Sequence, residues 1–210
     1  MHAYTTLTHL FREKKENELL VSIIFSSVKY VLNIRTFCID DIEFIRHWLD
    51  TDACRRFWDA DNSRDHLLQT YSGIMHSPHT VSMILSLNET PVCLIDAYHV
   101  QHDELGNYVE ATAKDYGIHF LMAPAKIPLR HLSACCMQQC LRFLFSFDDV
   151  ETIYGEPDSY NTKANALVVK AGFRFLAQQL FSYKTANIYT CRRPDFKQQL
   201  LYMPTPCYAY

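Results

Sequence analysis

A histidine and an aspartate in the second half of the sequence are candidates for proton-transfer chemistry. His119 alternates with apolar residues in segment 117–123, a pattern typical of a buried strand. Asp158 directly follows a second strand-like segment, 151–156. A carboxylate beside an imidazole makes the ring a stronger base, which suits it to accept a proton from a substrate. From the residues alone, a buried histidine bonded to a carbonyl and an aspartate that caps the next helix are the simpler interpretations.

The order of the predicted elements brings these two residues to neighbouring strands. A helix over 133–147 separates the two segments, and the strands of such a strand-helix-strand unit are parallel. In open α/β sheets, ligands bind beyond the carboxyl ends of parallel strands. The remaining patterns predict a mixed α/β sheet, with strands at 19–26, 30–37, 80–87, 91–98, 173–182 and 184–192 and helices that begin at Asp40 or Asp41, at Ser63 and at Asn161.

Composition limits the classes of function. The chain has 210 residues, of which only five are glycine, and no two glycines lie close enough for a dinucleotide fingerprint or a Walker loop. The formal net charge of -3 provides no basic footprint for nucleic acid. At this length we expect a single domain over 19–210, preceded by a polar segment, 1–18, whose order the sequence leaves open.

The cysteines and the N-terminal residues carry no signal of a metal site or of export. None of the eight cysteines forms a CxxC pair, and His99 with His102 has no third ligand in range, so we expect no metal and no disulfides. The first residues lack a secretory signal, and no apolar run approaches the ~20 residues that cross a bilayer. These patterns predict a cytoplasmic protein without a membrane span.

Short motifs follow one another between residues 30 and 193. They are Arg56-Phe57-Trp58, Ser77-Pro78-His79, Gly117-Ile118-His119-Phe120-Leu121, Glu156-Pro157-Asp158 with Asn161, and Ala171-Gly172-Phe173. In this order they resemble the siderophore-biosynthesis branch of the GNAT acyltransferases. The resemblance implies an α/β fold with a GNAT-like mixed, mostly antiparallel sheet and a central parallel strand-helix-strand unit.

The resemblance also implies a reaction. In that family the strand histidine and the aspartate of the Glu-Pro-Asp motif form the catalytic pair, and they match His119 and Asp158. The enzyme would move an acyl group from acyl-CoA, or from an acyl carrier protein, to an amine or hydroxylamine of a lysine- or diamine-derived siderophore precursor used in iron acquisition. His119 would take the proton of the attacking nitrogen while Asp158 orients the ring.

Further residues receive roles through the same resemblance. For Asn161, a bond to the pantetheine arm and a helix cap are equally open interpretations. The residues implied in binding acyl-CoA are Leu121, Met122, Ala123, Arg130, His131, Leu132, Ser133, Asn161 and Asn165, and those implied in binding the acceptor are Trp58, Asp96, Tyr98 and Lys184.

One loop departs from the family pattern. Most GNAT proteins hold the pyrophosphate of coenzyme A on a glycine-rich turn, but segment 126–133 contains no glycine, and Pro128 lacks a backbone donor. Either side chains such as Lys126, Arg130 and His131 replace the backbone donors, or the acyl group arrives on a carrier protein. The alternative functions are an aminoglycoside-type or other small-molecule N-acetyltransferase, and a non-catalytic GNAT-like binding protein.

Overall fold

Eight strands and seven helices make up the described part of the computed structural model, which comprises residues 5–25, 30–58, 61–124 and 131–200. The strands are β1 (Leu19–Phe25), β2 (Tyr30–Thr36), β3 (Thr80–Leu87), β4 (Thr90–His99), β5 (Asp115–Met122), β6 (Thr152–Gly155), β7 (Arg174–Leu180) and β8 (Thr185–Arg192). The helices are α1 (Leu7–Glu13), α2 (Ile42–Leu49), α3 (Asp52–Arg55), α4 (Arg64–His76), α5 (Leu132–Leu144), α6 (Thr162–Lys170) and α7 (Arg193–Leu200).

The strands form one sheet in the order β1-β2-β3-β4-β5-β6-β8-β7. β5 and β6 are parallel, joined through α5, whereas β1 with β2, β2 with β3, β6 with β8 and β7 with β8 are antiparallel. The predicted mixed, mostly antiparallel sheet with a central parallel unit is therefore confirmed.

Side-chain caps explain where the main helices begin. The Ser63 hydroxyl accepts the His66 amide at the start of α4, and the Asn161 side chain accepts the Ala164 amide at the start of α6. Such caps satisfy amides that have no partner within the helix. After α6, Gly172 has a φ of 101°, a left-handed conformation that glycine adopts without steric cost.

The chain divides into two compact units. The first is built from the described residues within 8–96 and from 120–124. Its core packs the apolar face of α2 against α4, and Phe37 stacks on Tyr71 with ring centroids 4.8 Å apart. Each fully buried Leu or Ile of such a core contributes about 1.5–3 kcal/mol relative to an exposed position. The buried residues of this core are Phe37, Ile42, Ile45, Trp48, Leu49, Leu67, Tyr71, Ile84, Leu94 and Leu121.

The second unit is built from the described residues 5–7, 97–119 and 131–200, and it contains the parallel strand pair. One of its cores joins the end of β4, the loop that follows it and the β7–β8 hairpin. The buried residues of this cluster are Tyr98, Val100, Leu105, Tyr154, Phe181, Ala186 and Ile188.

Three features differ from the sequence predictions or extend them. Leu7, Leu10 and Phe11 are buried on α1, so part of the segment whose order was open is a packed helix. The helices α3 and α7 were not predicted, and the polar loop after β4 contains two 3-10 turns. Cys135 is disulfide-bonded, so the prediction of no disulfides is wrong. The absence of a CxxC spacing does not exclude a bond between cysteines that are distant along the chain.

Within the described ranges, none of the helices combines the length and the apolar character that crossing a bilayer requires.

Candidate active site

The register of the parallel strands places Glu156 opposite His119. Gly117 on β5 is paired with Tyr154 on β6, so two residues further along each chain His119 faces Glu156 on the same side of the sheet. His119 Nε2 lies 2.9 Å from Glu156 Oε1. The His119 side chain is 35% exposed and that of Glu156 only 2%, so the ring can meet a substrate while the carboxylate is withdrawn from solvent.

In the structure Glu156 is a carboxylate bonded to His119, whereas the sequence predicted Asp158 as the partner of this histidine. β6 ends at Gly155, and the chain turns through Pro157 so that Asp158 forms an isolated bridge with Ala186 of β8. The Asp158 carboxylate accepts the amide of Tyr160 at 2.8 Å in a local turn. The described hydrogen bond of the histidine thus goes to the glutamate of the Glu-Pro-Asp motif, and a catalytic part for Asp158 stays a prediction.

Tyr98 reaches Glu156 across the intervening strand. Its hydroxyl, carried by β4, donates to Glu156 Oε2 at 2.9 Å, and its ring lies 4.9 Å from the His119 ring. A Cβ on Gly117 of β5 would fall well inside 3.0 Å of the Tyr98 ring, so only glycine leaves room for this crossing. Burial raises the pKa of the Tyr98 phenol well above its usual value, so it acts as a neutral donor. Its predicted contact with an acceptor stays a prediction.

Lys184 contributes a positive charge from the β7–β8 hairpin. Its Nζ lies 3.5 Å from Glu156 Oε1, and its side chain is 16% exposed. The ammonium also lies 5.2 Å from the ring centre of Tyr183 and 6.0 Å from that of Phe181. These faces stabilise a cation that has lost much of its water.

Asp103, in the loop after β4, is a second carboxylate near the pair. Its Oδ1 accepts the Leu105 amide at 2.9 Å. Burial raises the pKa of the Asp103 carboxyl. The charge of His119 lowers this pKa, and the charge of Glu156 raises it. Sequence reasoning missed Asp103 because it lies in an irregular loop with no motif.

The electrostatics keep Glu156 ionised. Burial alone raises the pKa of the Glu156 carboxyl, but the charge and hydrogen bond of His119, the charge of Lys184 and the hydrogen bond of Tyr98 together lower it to about 2. An ionised carboxylate only accepts hydrogen bonds, so His119 Nε2 carries the proton in this pair. The charge of His119 in this balance is that of the imidazolium. When the ring loses a proton and keeps the one on Nε2, its lone pair lies on Nδ1, and Nδ1 is then the basic atom.

Asn161 and Asn165, two of the residues implied in coenzyme binding, form hydrogen bonds within the protein. Asn161 caps α6, which supports the capping interpretation, while a pantetheine contact stays a prediction. Asn165 donates to the carbonyls of Asp158 and Asn161, and its Oδ1 accepts from Asn187 and Tyr189, so its hydrogen-bonding groups already bind protein.

The glycine-free loop is described only at its end. Segment 126–130, with Lys126 and Arg130, lies outside the described residues. His131 has a φ of 63°, a conformation that glycine adopts more easily, and its Nδ1 lies 3.3 Å from Lys170 Nζ. Leu132 and Ser133 begin α5, whereas Leu121, Met122 and Ala123 lie at and just beyond the end of β5.

Two predicted acceptor residues belong to the first unit. Trp58 packs against its core. Asp96, 5% exposed on β4, accepts the Ser82 hydroxyl at 2.5 Å, as a buried polar group requires. Their contact with an acceptor stays a prediction. Across the described ranges, no three His, Cys, Asp or Glu side chains are grouped to hold a metal ion.

Comparison with known proteins identifies the family. Residues 39–180 match the model of an acetyltransferase (GNAT) domain. The chain is 20% identical to lysine N-acyltransferase MbtK of Mycolicibacterium paratuberculosis, over 77% of this chain and 73% of that protein. It is 22% identical to the N-hydroxyputrescine acetyltransferase of Acinetobacter baumannii, over 76% of each chain.

A solved structure agrees with the fold. AAC(6')-Ib in complex with paromomycin and acetyl-CoA superimposes with a TM-score of 0.72 at 20% identity, covering 80% of this chain and 96% of that one. At 20% sequence identity, this structural similarity is evidence for a shared fold and not for a shared substrate. Because the family model matches more than half of the chain and includes both His119 and Glu156, the chain belongs to the GNAT acetyltransferase family, enzymes that transfer an acyl group from acyl-CoA.

Proposed function

We propose that this enzyme acylates an amine or hydroxylamine of a small siderophore precursor, with His119 as the base. The observation that carries the proposal is the His119–Glu156 pair, in which a partly exposed imidazole is held by a buried carboxylate. The acceptors in the names of the two relatives, lysine and N-hydroxyputrescine, support a nitrogen nucleophile on a short aliphatic chain.

The geometry suggests how the proton moves. As the acceptor nitrogen attacks the thioester carbonyl, its proton passes to His119 Nδ1. The new C–N bond forms, the C–S bond breaks, and the thiolate of coenzyme A then takes the proton from the imidazolium. Glu156 balances the charge of the imidazolium, since it bonds Nε2 at 2.9 Å. A lysine-like amine titrates near pH 10.4, so the base matters most for an amine acceptor and less for a hydroxylamine.

A second candidate has its own support. Asp103 and Glu104 follow β4 beside the pair, and carboxylates attract acceptors with several ammonium groups. The fold likeness to AAC(6')-Ib is compatible with such an acceptor. An aminoglycoside-type N-acetyltransferase is therefore the alternative function.

One experiment tests both functions. The purified protein is incubated with acetyl-CoA and longer acyl-CoA donors, each against lysine, N-hydroxylysine, N-hydroxyputrescine, a polyamine and an aminoglycoside, with mass spectrometry of the products. We expect acylation of the short amines or hydroxylamines, and we expect His119→Gln to reduce the turnover at least 100-fold. Transfer confined to the aminoglycoside would replace the first function by the second. Unchanged turnover in His119→Gln would exclude His119 as the base.

A further inference from the structure

Lys184 is held in place by the turn that carries it. The Phe181 amide donates to the Lys184 carbonyl at 2.8 Å and closes the β7–β8 turn. Ser182 donates twice to the Glu104 carboxylate, from its amide at 2.7 Å and from its hydroxyl at 2.6 Å. Phe181 is buried, and Tyr108 packs edge-on against it at 4.9 Å. These contacts hold the turn in one conformation, and from this turn the Lys184 side chain reaches Glu156.

The ammonium and the imidazole share one oxygen atom. His119 Nε2 and Lys184 Nζ both contact Glu156 Oε1, at 2.9 Å and 3.5 Å. The two nitrogen atoms therefore lie within about 6.4 Å (2.9 plus 3.5) of each other. At this range a cation on Lys184 repels a second cation on the ring, although solvent at the exposed side of His119 weakens the repulsion.

Three described groups around His119 favour its charged form or are neutral. Glu156, after β6, and Asp103, in the loop after β4, are carboxylates that attract an imidazolium. Tyr98, on β4, is a neutral phenol whose hydroxyl bonds Glu156. The two carboxylates stabilise a proton on the ring and so narrow the pH range in which the ring is a neutral base, whereas a nearby cation opposes this effect.

We propose that Lys184 is a positioning residue, whose ammonium offsets the charge of Glu156 and so keeps His119 in the neutral, proton-accepting form. This inference rests on the proposed function of His119 as the base. It differs from the role that the family resemblance implies for Lys184, which is contact with the acceptor.

The pH dependence of kcat/KM separates the two roles. The acid limb of that profile reports the protonation of the base in the free enzyme. In Lys184→Met we expect this limb to move to higher pH by about one unit, with most of the lost activity recovered as the pH rises. Lys184→Arg keeps the charge and should leave the limb in place, as should Lys163→Met, which removes an exposed lysine of α6. An equal fold-loss at every pH in Lys184→Met would instead indicate acceptor binding and overturn the proposal.

A second readout does not depend on turnover. The imidazole signals of His119 are followed by NMR against pH in the wild type and in both Lys184 variants, and His119→Gln identifies the signals. We expect the titration midpoint to rise by about one unit in Lys184→Met only. Equal midpoints in the three proteins would overturn the inference. If the wild type acylates none of the acceptors, the proposed function fails, whereas the NMR titration still decides the role of Lys184.

Discussion

Gly117→Ala should destabilise the protein because a methyl group at this position has no space. A Cβ there falls well inside 3.0 Å of the ring and hydroxyl of Tyr98, a buried side chain with little room to move. Overpacking of this kind costs about 1–3 kcal/mol. The displaced ring would also lose its hydrogen bond to the Glu156 carboxylate, which contributes about 1.5–3 kcal/mol for a charged acceptor.

The free energy of unfolding should therefore fall by about 3–5 kcal/mol, and Tm by about 10 °C for a chain of this length. Chemical and thermal denaturation measure both quantities. Gly155→Ala is the matched control on the neighbouring strand, because a Cβ there would meet Phe173 and Val168 at ordinary distances of 3.8 Å and 3.9 Å. We expect this variant to stay within about 1 kcal/mol of the wild type.

A double-mutant cycle tests the steric cause. In a Tyr98→Leu background the shorter side chain leaves room at residue 117, so Gly117→Ala should cost less than about 1 kcal/mol there. The reasoning is refuted if Gly117→Ala and Gly155→Ala cost the same, or if the cost of Gly117→Ala is independent of the residue at position 98.

Two predictions concern Glu156. Glu156→Gln removes the charge that balances the imidazolium and should lower kcat about 30-fold, which corresponds to about 2 kcal/mol in the transition state. Asp158→Asn should lower kcat by less than about threefold, and steady-state kinetics that rank the two variants in the opposite order would show that Asp158 is the functional carboxylate. Because the Glu156 pKa is lowered to about 2, its stabilising effect is complete above about pH 4.5 and is lost as the pH falls towards 2. Urea unfolding should show an acid-induced loss of about 2–3 kcal/mol that is absent in Glu156→Gln, and an identical loss in both proteins would contradict this.

The strands were predictable because their signals are local. Strand-like runs bounded by turn residues identified β2, β3 and β4, alternation around His119 identified β5, and Ser63 and Asn161 identified two helix starts. The spacing of Leu7, Leu10 and Phe11 is also helical, so α1 was recognisable from the same rule. The short α3 offers a single turn and too little pattern to detect.

The site was predictable only in part because its contacts are not local. The strand order placed His119 beside the Glu-Pro-Asp segment, but the choice between Glu156 and Asp158 depends on the register of two parallel strands. The crossing of Tyr98 over Gly117 depends on which residues of β4 and β5 are neighbours. The pattern of a single sequence does not predict these registers. It also does not predict that the loop residue Asp103 lies near the site.

The hydrogen bonds of Glu156 also bear on how the second unit folds. Its partners Tyr98 and His119 lie 58 and 37 residues away along the chain, and Lys184 arrives from the last hairpin. Until all three are in place, removing the carboxylate from water is uncompensated, and contacts of such long sequence separation form slowly. We therefore expect the His119–Glu156 pair to assemble late in refolding, after the helices and hairpins, so that recovery of activity lags behind recovery of secondary structure.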